Sequence, residues 1–83
     1  MIGNDNERAK AMTGVAADAA LAGEVETVKK SLGQISDNVV RDQATLNSAR
    51  MLARRGLRKQ AIEIAKTISG NTVRDTALSE LAH

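Results

Sequence analysis

The stretch ISDNVVRD, residues 35–42, returns 33 positions later as ISGNTVRD, residues 68–75. When residues 23–50 are aligned with residues 56–83 at this offset, nine of the 28 positions are identical. Self-similarity at such a period is typical of stacked supersecondary units, each of which cannot bury its apolar face alone. The chain therefore holds about two and a half copies of one unit within a single domain, divided as follows: a half repeat at 1–22, a repeat at 23–55 and a repeat at 56–83.

The composition indicates an all-α fold. The 83 residues include no Phe, Tyr, Trp, Pro or Cys, and the apolar side chains are Ala, Val, Leu, Ile and three Met. A core of such small side chains must be thin, which favours close packing of helix on helix, and the absence of Pro leaves long helices uninterrupted. Without Cys the redox compartment cannot be inferred.

Helical periodicity places five antiparallel helices along the chain. Leu57, Ala61, Ile64, Ala65 and Ile68 form one stripe, while charged residues take the opposite side, which is the pattern of an amphipathic helix. The pattern predicts that each unit consists of a long helix, a turn at Gly, a short helix and a polar turn. The predicted helices are roughly 5–22, 24–34, 37–55, 57–67 and 71–82.

The long helix at 37–55 has apolar residues on two sides, as a helix packed between two neighbours requires. One side carries Val40, Ala44 and Met51, and the other carries Val39, Leu46, Ala49 and Ala53. The last helix needs a single apolar face, formed by Val73, Ala77, Leu78 and Leu81.

Turn residues mark the joints between the predicted helices. Gly23 and Gly56 follow helical stretches, where a left-handed residue ends a helix at least cost. The polar stretches at 36–38 and 69–72 offer side-chain oxygens to the first amides of the next helix. Thr72 with Asp75 resembles a capping box.

A helix-turn-helix period of 33 residues, with Gly followed five residues later by Ala, resembles the tetratricopeptide-like group of α-solenoids. Gly56 and Ala61 carry this spacing, whereas Gly23 is followed by Val28, and the aromatic and Pro positions of the motif are missing. The resemblance implies a superhelix of stacked helix pairs. Such proteins present a face to a protein segment, as adaptors or chaperones, without chemistry of their own; fold alone does not fix function.

The most concentrated surface charge is a basic cluster at residues 50–59. It is uninterrupted by any acid, and residues 41–83 as a whole hold eight basic and four acidic side chains. The cluster could bind an acidic peptide or a phosphate backbone, or its cations could stabilise a helix C-terminus. No aromatic residue is present to stack on bases, so nucleic acid is the less favoured partner. The cluster consists of Arg50, Arg54, Arg55, Arg58 and Lys59.

One arginine recurs in each copy, as Arg8, Arg41 and Arg74. The three could line one face and bind carboxylates. Alternatively, each guanidinium meets nearby carbonyls or a carboxylate and holds its own unit together. We favour the structural role, because a ligand seldom contacts every copy alike.

No residue set indicates catalysis, so we predict that the protein is not an enzyme and has no cofactor and no metal. The chain lacks a Cys nucleophile and a phosphate-binding Gly-rich loop, and its only His, His83, is the last residue. No apolar run approaches a membrane span and no cleavable signal is recognisable. We therefore expect a soluble, cytoplasmic protein with no membrane partner; secretion without a cleavable signal stays open.

These observations favour a protein-interaction module that binds a protein segment, possible partners being acidic proteins or a second copy of the chain. The second hypothesis is a small nucleic-acid-binding protein that uses the basic cluster. The third is a structural fragment of a larger repeat protein. Since neither end helix shows an obvious polar outer face, we expect one or both ends to be covered by another copy, a partner or further chain.

Overall fold

Five α-helices make up the part of the chain that the structure describes, residues 4–82. The computed structural model describes the backbone of residues 4–82 and the side chains of residues 6–82, so His83 lies outside it. The prediction of an all-α chain with five helices is confirmed, and the predicted helix ends agree within two residues. The helices are α1 (Asn4–Ala22), α2 (Val25–Gly33), α3 (Asn38–Arg54), α4 (Arg58–Ala65) and α5 (Asn71–Ala82).

Each long helix packs against the short helix that follows it, α1 on α2 and α3 on α4. The long helix α3 also contacts α1, α2 and α5, so it touches every other helix. The Cα atoms span 43 × 27 × 14 Å. The smallest of these dimensions fits two layers of helices whose axes are about 8–10 Å apart.

The core consists of small and branched aliphatic side chains. Four alanines of α1 are buried, which lets neighbouring helices approach α1 closely, and the largest fully buried side chains belong to the other helices and joints. At this size the burial of a few such side chains decides stability. The largest fully buried aliphatic side chains are Val28, Ile35, Leu52, Ile64 and Ile68.

The two-sided apolar character of α3 is confirmed in its middle and wrong in its first turn. Ala44, Leu46 and Ala49 are buried, whereas Val39 is 78% exposed and Val40 is 39% exposed. No described residue covers these two valines, so an apolar position in the helical pattern is not enough to bury them. The single apolar face of α5 is confirmed: Ala77 and Leu81 are buried, and Val73 and Leu78 pack against the core.

Both Gly joints have the same hydrogen-bonded geometry. Gly23 has φ +76° and Gly56 has φ +90°. The Gly23 amide donates to the Ala20 carbonyl at 3.1 Å, and the next amide, of Glu24, donates to the Ala19 carbonyl at 2.8 Å. The same pair of bonds occurs 33 residues later, so both long helices end in the Schellman arrangement that favours Gly.

The two polar joints differ from one another. Asp37 caps α3, because its Oδ1 accepts from the amides of Val39 at 2.9 Å and Val40 at 3.1 Å. The equivalent position before α5 is Gly70, which has no side chain to cap with. Thr72 and Asp75 both lie in the described part of the chain, and no hydrogen bond joins the side chain of either to the other residue. The predicted capping box is therefore wrong.

Candidate functional site

The recurring arginines Arg41 and Arg74 hold their own units together. The Arg41 guanidinium donates to the Ile35 carbonyl at 3.2 Å and to the Asn38 side-chain oxygen. Arg74 makes the same two bonds, to Ile68 at 3.3 Å and to Asn71 at 2.6 Å. The structural role predicted for these two positions is confirmed.

A buried carboxylate joins α3 to the start of α5. Asp42 is 7% exposed and accepts from the Ser69 amide at 3.0 Å, the Ser69 hydroxyl at 2.9 Å and the Gly70 amide at 3.0 Å. Burial opposes the charged form, but these hydrogen bonds outweigh it, so the pKa of the Asp42 carboxyl lies below its ordinary value. Asp42 therefore anchors residues 69–70, the segment just before α5, on α3.

The structure divides the basic cluster into two groups, and the first group is bound internally. Arg50 makes two hydrogen bonds to the Glu80 carboxylate of α5, at 2.9 and 2.8 Å. This pairing lowers the pKa of Glu80 and raises that of Arg50. Arg55 donates to the Leu21 carbonyl at the end of α1, at 2.9 Å, and passes over Gly23. Both arginines therefore tie α3 to a neighbouring helix.

The second group, Arg54, Arg58 and Lys59, is exposed and has no ion pair with any described side chain. Arg54 is the last residue of α3, where a cation favours the helix dipole. Arg58 and Lys59 are the first two residues of α4, where the dipole disfavours a cation, and the first turn of α4 has no acid. Helix stability thus explains Arg54 but not the other two.

A cleft of about 260 Å³ opens between α2 and α4. Lys29, Leu32 and Gly33 of α2 form one side, and Ile64 with Thr67 forms the other side. The residues of α3 that complete the lining are Arg41 and Thr45. The cleft exists because α2 and α4 each pack on α3, which holds the two short helices apart.

The lining of the cleft is apolar, with cations and no carboxylate. Leu32 and Ile64 belong to the buried core. Lys29 lies 3.7 Å from Glu26, but both side chains are more than half exposed, so this weak pair leaves Lys29 able to change partner. Both Thr hydroxyls already donate to helix carbonyls, Thr45 to Arg41 and Thr67 to Ile64. An apolar group with a negative charge beside it suits this lining.

Apart from Arg41, no residue of the cleft lining was a candidate from the sequence. Lys29, Arg41 and Thr67 are far apart along the chain, and nothing in their types or spacing predicts that three helices bring them together. The recurring Arg41 was a candidate, and it does line the cleft while also bonding within its own unit.

Within the described part of the chain, no three carboxylate or imidazole side chains are grouped as metal ligands would be. None of the helices in residues 4–82 combines the length and hydropathy that a membrane crossing requires.

Comparison with protein-family models, curated proteins and solved structures found no match to this chain.

Proposed function

We propose that the chain is a non-enzymatic protein-interaction module, a short tetratricopeptide-like stack of helix pairs that binds an acidic protein segment. The observation that carries this proposal is the cleft between α2 and α4, whose lining combines an apolar floor with Lys29 and Arg41 and includes no acid. Leu or Ile from the segment would enter the cleft, and neighbouring Asp or Glu residues would face the two cations.

The size of the cleft favours a side chain over a cofactor or small metabolite. Its volume of about 260 Å³ is below the range of roughly 300–1,000 Å³ that is usual for small-molecule sites. Burying one Leu or Ile side chain contributes about 1.5–3 kcal/mol. A segment that fills the cleft with a single residue therefore binds weakly unless charges add to its affinity.

Exposed cations outside the cleft add a longer-range electrostatic attraction to the contacts with Lys29 and Arg41. Arg54, Arg58 and Lys59 form no ion pair with any described side chain and concentrate positive charge at the α3–α4 joint. Such a concentration of charge accelerates the encounter with an acidic partner and makes it sensitive to salt. The cations at the N-terminus of α4 oppose its dipole, which is understandable if they serve binding and not helix stability.

Fluorescence anisotropy with a dye-labelled peptide, one Leu flanked by Glu residues, tests the proposal. Gly33→Leu should weaken binding by about tenfold or more, because the new side chain stands at the mouth of the cleft. The matched control is Gly14→Leu on α1; a Cβ at either Gly meets no atom within 4 Å, so both variants should fold. Equal binding by the two variants would contradict a site in the cleft.

Charge is tested separately with Lys29→Glu and its control Lys30→Glu, a neighbouring exposed lysine that does not line the cleft. Lys29→Glu should weaken binding of the Glu-rich peptide, whereas Lys30→Glu should leave it unchanged. A single-stranded DNA oligonucleotide of equal charge distinguishes the alternative function. If DNA binds more tightly than the peptide and Gly33→Leu has no effect, the chain is a nucleic-acid-binding protein and not a peptide-binding one.

A further inference from the structure

One face of α1 has no neighbour among the described residues. Its residues follow a 3-4-3-4 spacing, which keeps them on one side of a helix and is the spacing of a coiled-coil seam. All of them are exposed, and Val15, the largest aliphatic among them, is 41% exposed. The α1 face consists of Arg8, Ala11, Val15, Asp18 and Ala22.

The central positions of the equivalent faces in α3 and α5 are buried. Ala11 corresponds at the 33-residue offset to Ala44, which is 3% exposed, and to Ala77, which is fully buried. Val15 corresponds to Ser48 and Leu81, at 1% and 5% exposure. These positions pack against neighbouring helices in α3 and α5. The α1 face thus has the small side chains of a helix-packing surface, without a described helix to cover it.

The charges on this face are complementary to themselves in one orientation. Arg8 and Asp18 have no ion pair with any described side chain. If a second α1 lies antiparallel, with its two-fold axis level with Thr13, Arg8 of each copy is opposite Asp18 of the other. The same axis places Ala11 opposite Val15 of the other copy. A parallel arrangement of the two helices would instead place like charges side by side.

We propose that the protein forms a two-fold homodimer through antiparallel packing of α1 on α1 of a second copy. The interface has Ala11 and Val15 at its centre, two Arg8–Asp18 pairs between the copies on either side, and Ala22 at its edge. Because each copy contributes one helix, the buried area is small and the dimer dissociates readily, with a Kd on the order of 10–100 µM.

The other end of the molecule argues against an open chain of copies. The outer side of α5 is polar and exposed, so the expectation that the last helix lacks a polar outer face is wrong. A head-to-tail contact of α5 with the α1 face would bury these polar groups without partners, whereas a two-fold contact uses α1 alone and closes. The exposed polar residues of α5 are Thr72, Asp75, Thr76 and Ser79.

Sedimentation equilibrium of the full chain and of four variants tests the dimer. Val15→Glu should weaken association by about a hundredfold, because it places two acids at the centre of a small apolar contact. Arg8→Asp and Asp18→Arg should each weaken self-association by about tenfold or more, because each places like charges opposite one another. The double variant with both exchanges should recover the wild-type Kd.

Mixing the two single variants is the decisive measurement. One variant then has two acids on the α1 face and the other has two bases, so in the mixture each acid is opposite a base and heterodimers should form with at least wild-type affinity. All these side chains are exposed, so circular dichroism should show unchanged helix content. A wild-type chain that stays monomeric up to about 1 mM overturns the proposal. So does a dimer that Val15→Glu leaves intact, or a mixture that stays monomeric.

Discussion

The carboxylate of Asp42, near the beginning of α3, lies 3.0 Å from the backbone nitrogen of Ser69, 27 residues further along the chain. With the bonds from the Ser69 hydroxyl and the Gly70 amide, this contact fixes where α5 begins relative to α3. At the 33-residue offset Asp42 corresponds to Asp75, which is exposed. The same residue type thus stabilises a junction in one copy and faces solvent in the next.

Asp42→Asn should lower the free energy of unfolding by about 2 kcal/mol. The amide group can still accept through its oxygen, but its nitrogen then faces a backbone N–H that has lost its acceptor, and an unsatisfied buried donor costs about 1–3 kcal/mol. Urea unfolding followed by circular dichroism measures the change. Asp75→Asn is the matched control and should stay within about 0.5 kcal/mol of wild type. A similar loss of stability in both variants would contradict a stabilising role of Asp42 at the junction of α3 and α5.

Acid should weaken the same junction. The native pKa of Asp42 lies below its ordinary value of 3.8, so the unfolded chain takes up a proton more readily than the folded chain does. The stabilisation is complete above about pH 5 and is lost as the pH falls through the native pKa. Urea unfolding at a series of pH values should show the difference between wild type and Asp42→Asn narrowing below about pH 4. A constant difference across this range would exclude the carboxylate as its source.

The two left-handed glycines should differ in their tolerance of Ala. Gly56→Ala places a Cβ in open space and bears only the cost of the left-handed backbone, about 1–2 kcal/mol. Gly23→Ala bears this cost and also places its Cβ 2.6 Å from Nε of Arg55, which must then leave the Leu21 carbonyl. We expect an additional loss of about 0.5–1 kcal/mol in thermal or urea unfolding. In an Arg55→Ala background the two glycine substitutions should cost the same.

Glutamate substitutions should separate the two groups of the basic cluster. Changing Arg54, Arg58 and Lys59 together should change the unfolding midpoint little, since two acids at the start of α4 favour its dipole and offset the loss of the cation at the end of α3. Arg50→Glu should lower the midpoint, because it replaces a two-bond ion pair with repulsion between its carboxylate and Glu80. The effect of Arg50→Glu should shrink in high salt, because the pair is partly exposed. A triple variant that unfolds more readily than Arg50→Glu would contradict this division.

Periodicity and turn residues predicted the helices well because these features are local. Gly23 and Gly56 end α1 and α3 in the expected left-handed conformation, and Asp37 caps α3 as expected. The errors occur where tertiary contacts decide. Val39 follows the apolar pattern but stands in a turn without a neighbour, and the Asp42 carboxylate stabilises the start of α5, where a local capping box was predicted.

The candidate site was less predictable than the fold. A run of like charges along the chain does not show which cations form hydrogen bonds or ion pairs within the fold. Arg50 and Arg55 are bound by groups 30 and 34 residues away, Glu80 and the Leu21 carbonyl. The cleft depends on the separation of α2 and α4 on α3, which no short stretch encodes.

The contact of α3 with all four other helices has a consequence for how the protein melts. Long arrays of stacked helices fray from their ends, since each unit relies only on its immediate neighbours. Here any loss of α3 removes support from the entire molecule at once. Denaturation should therefore follow a single cooperative transition, with slower amide hydrogen exchange in the middle of α3 than in the first turn of α1 and the last turn of α5.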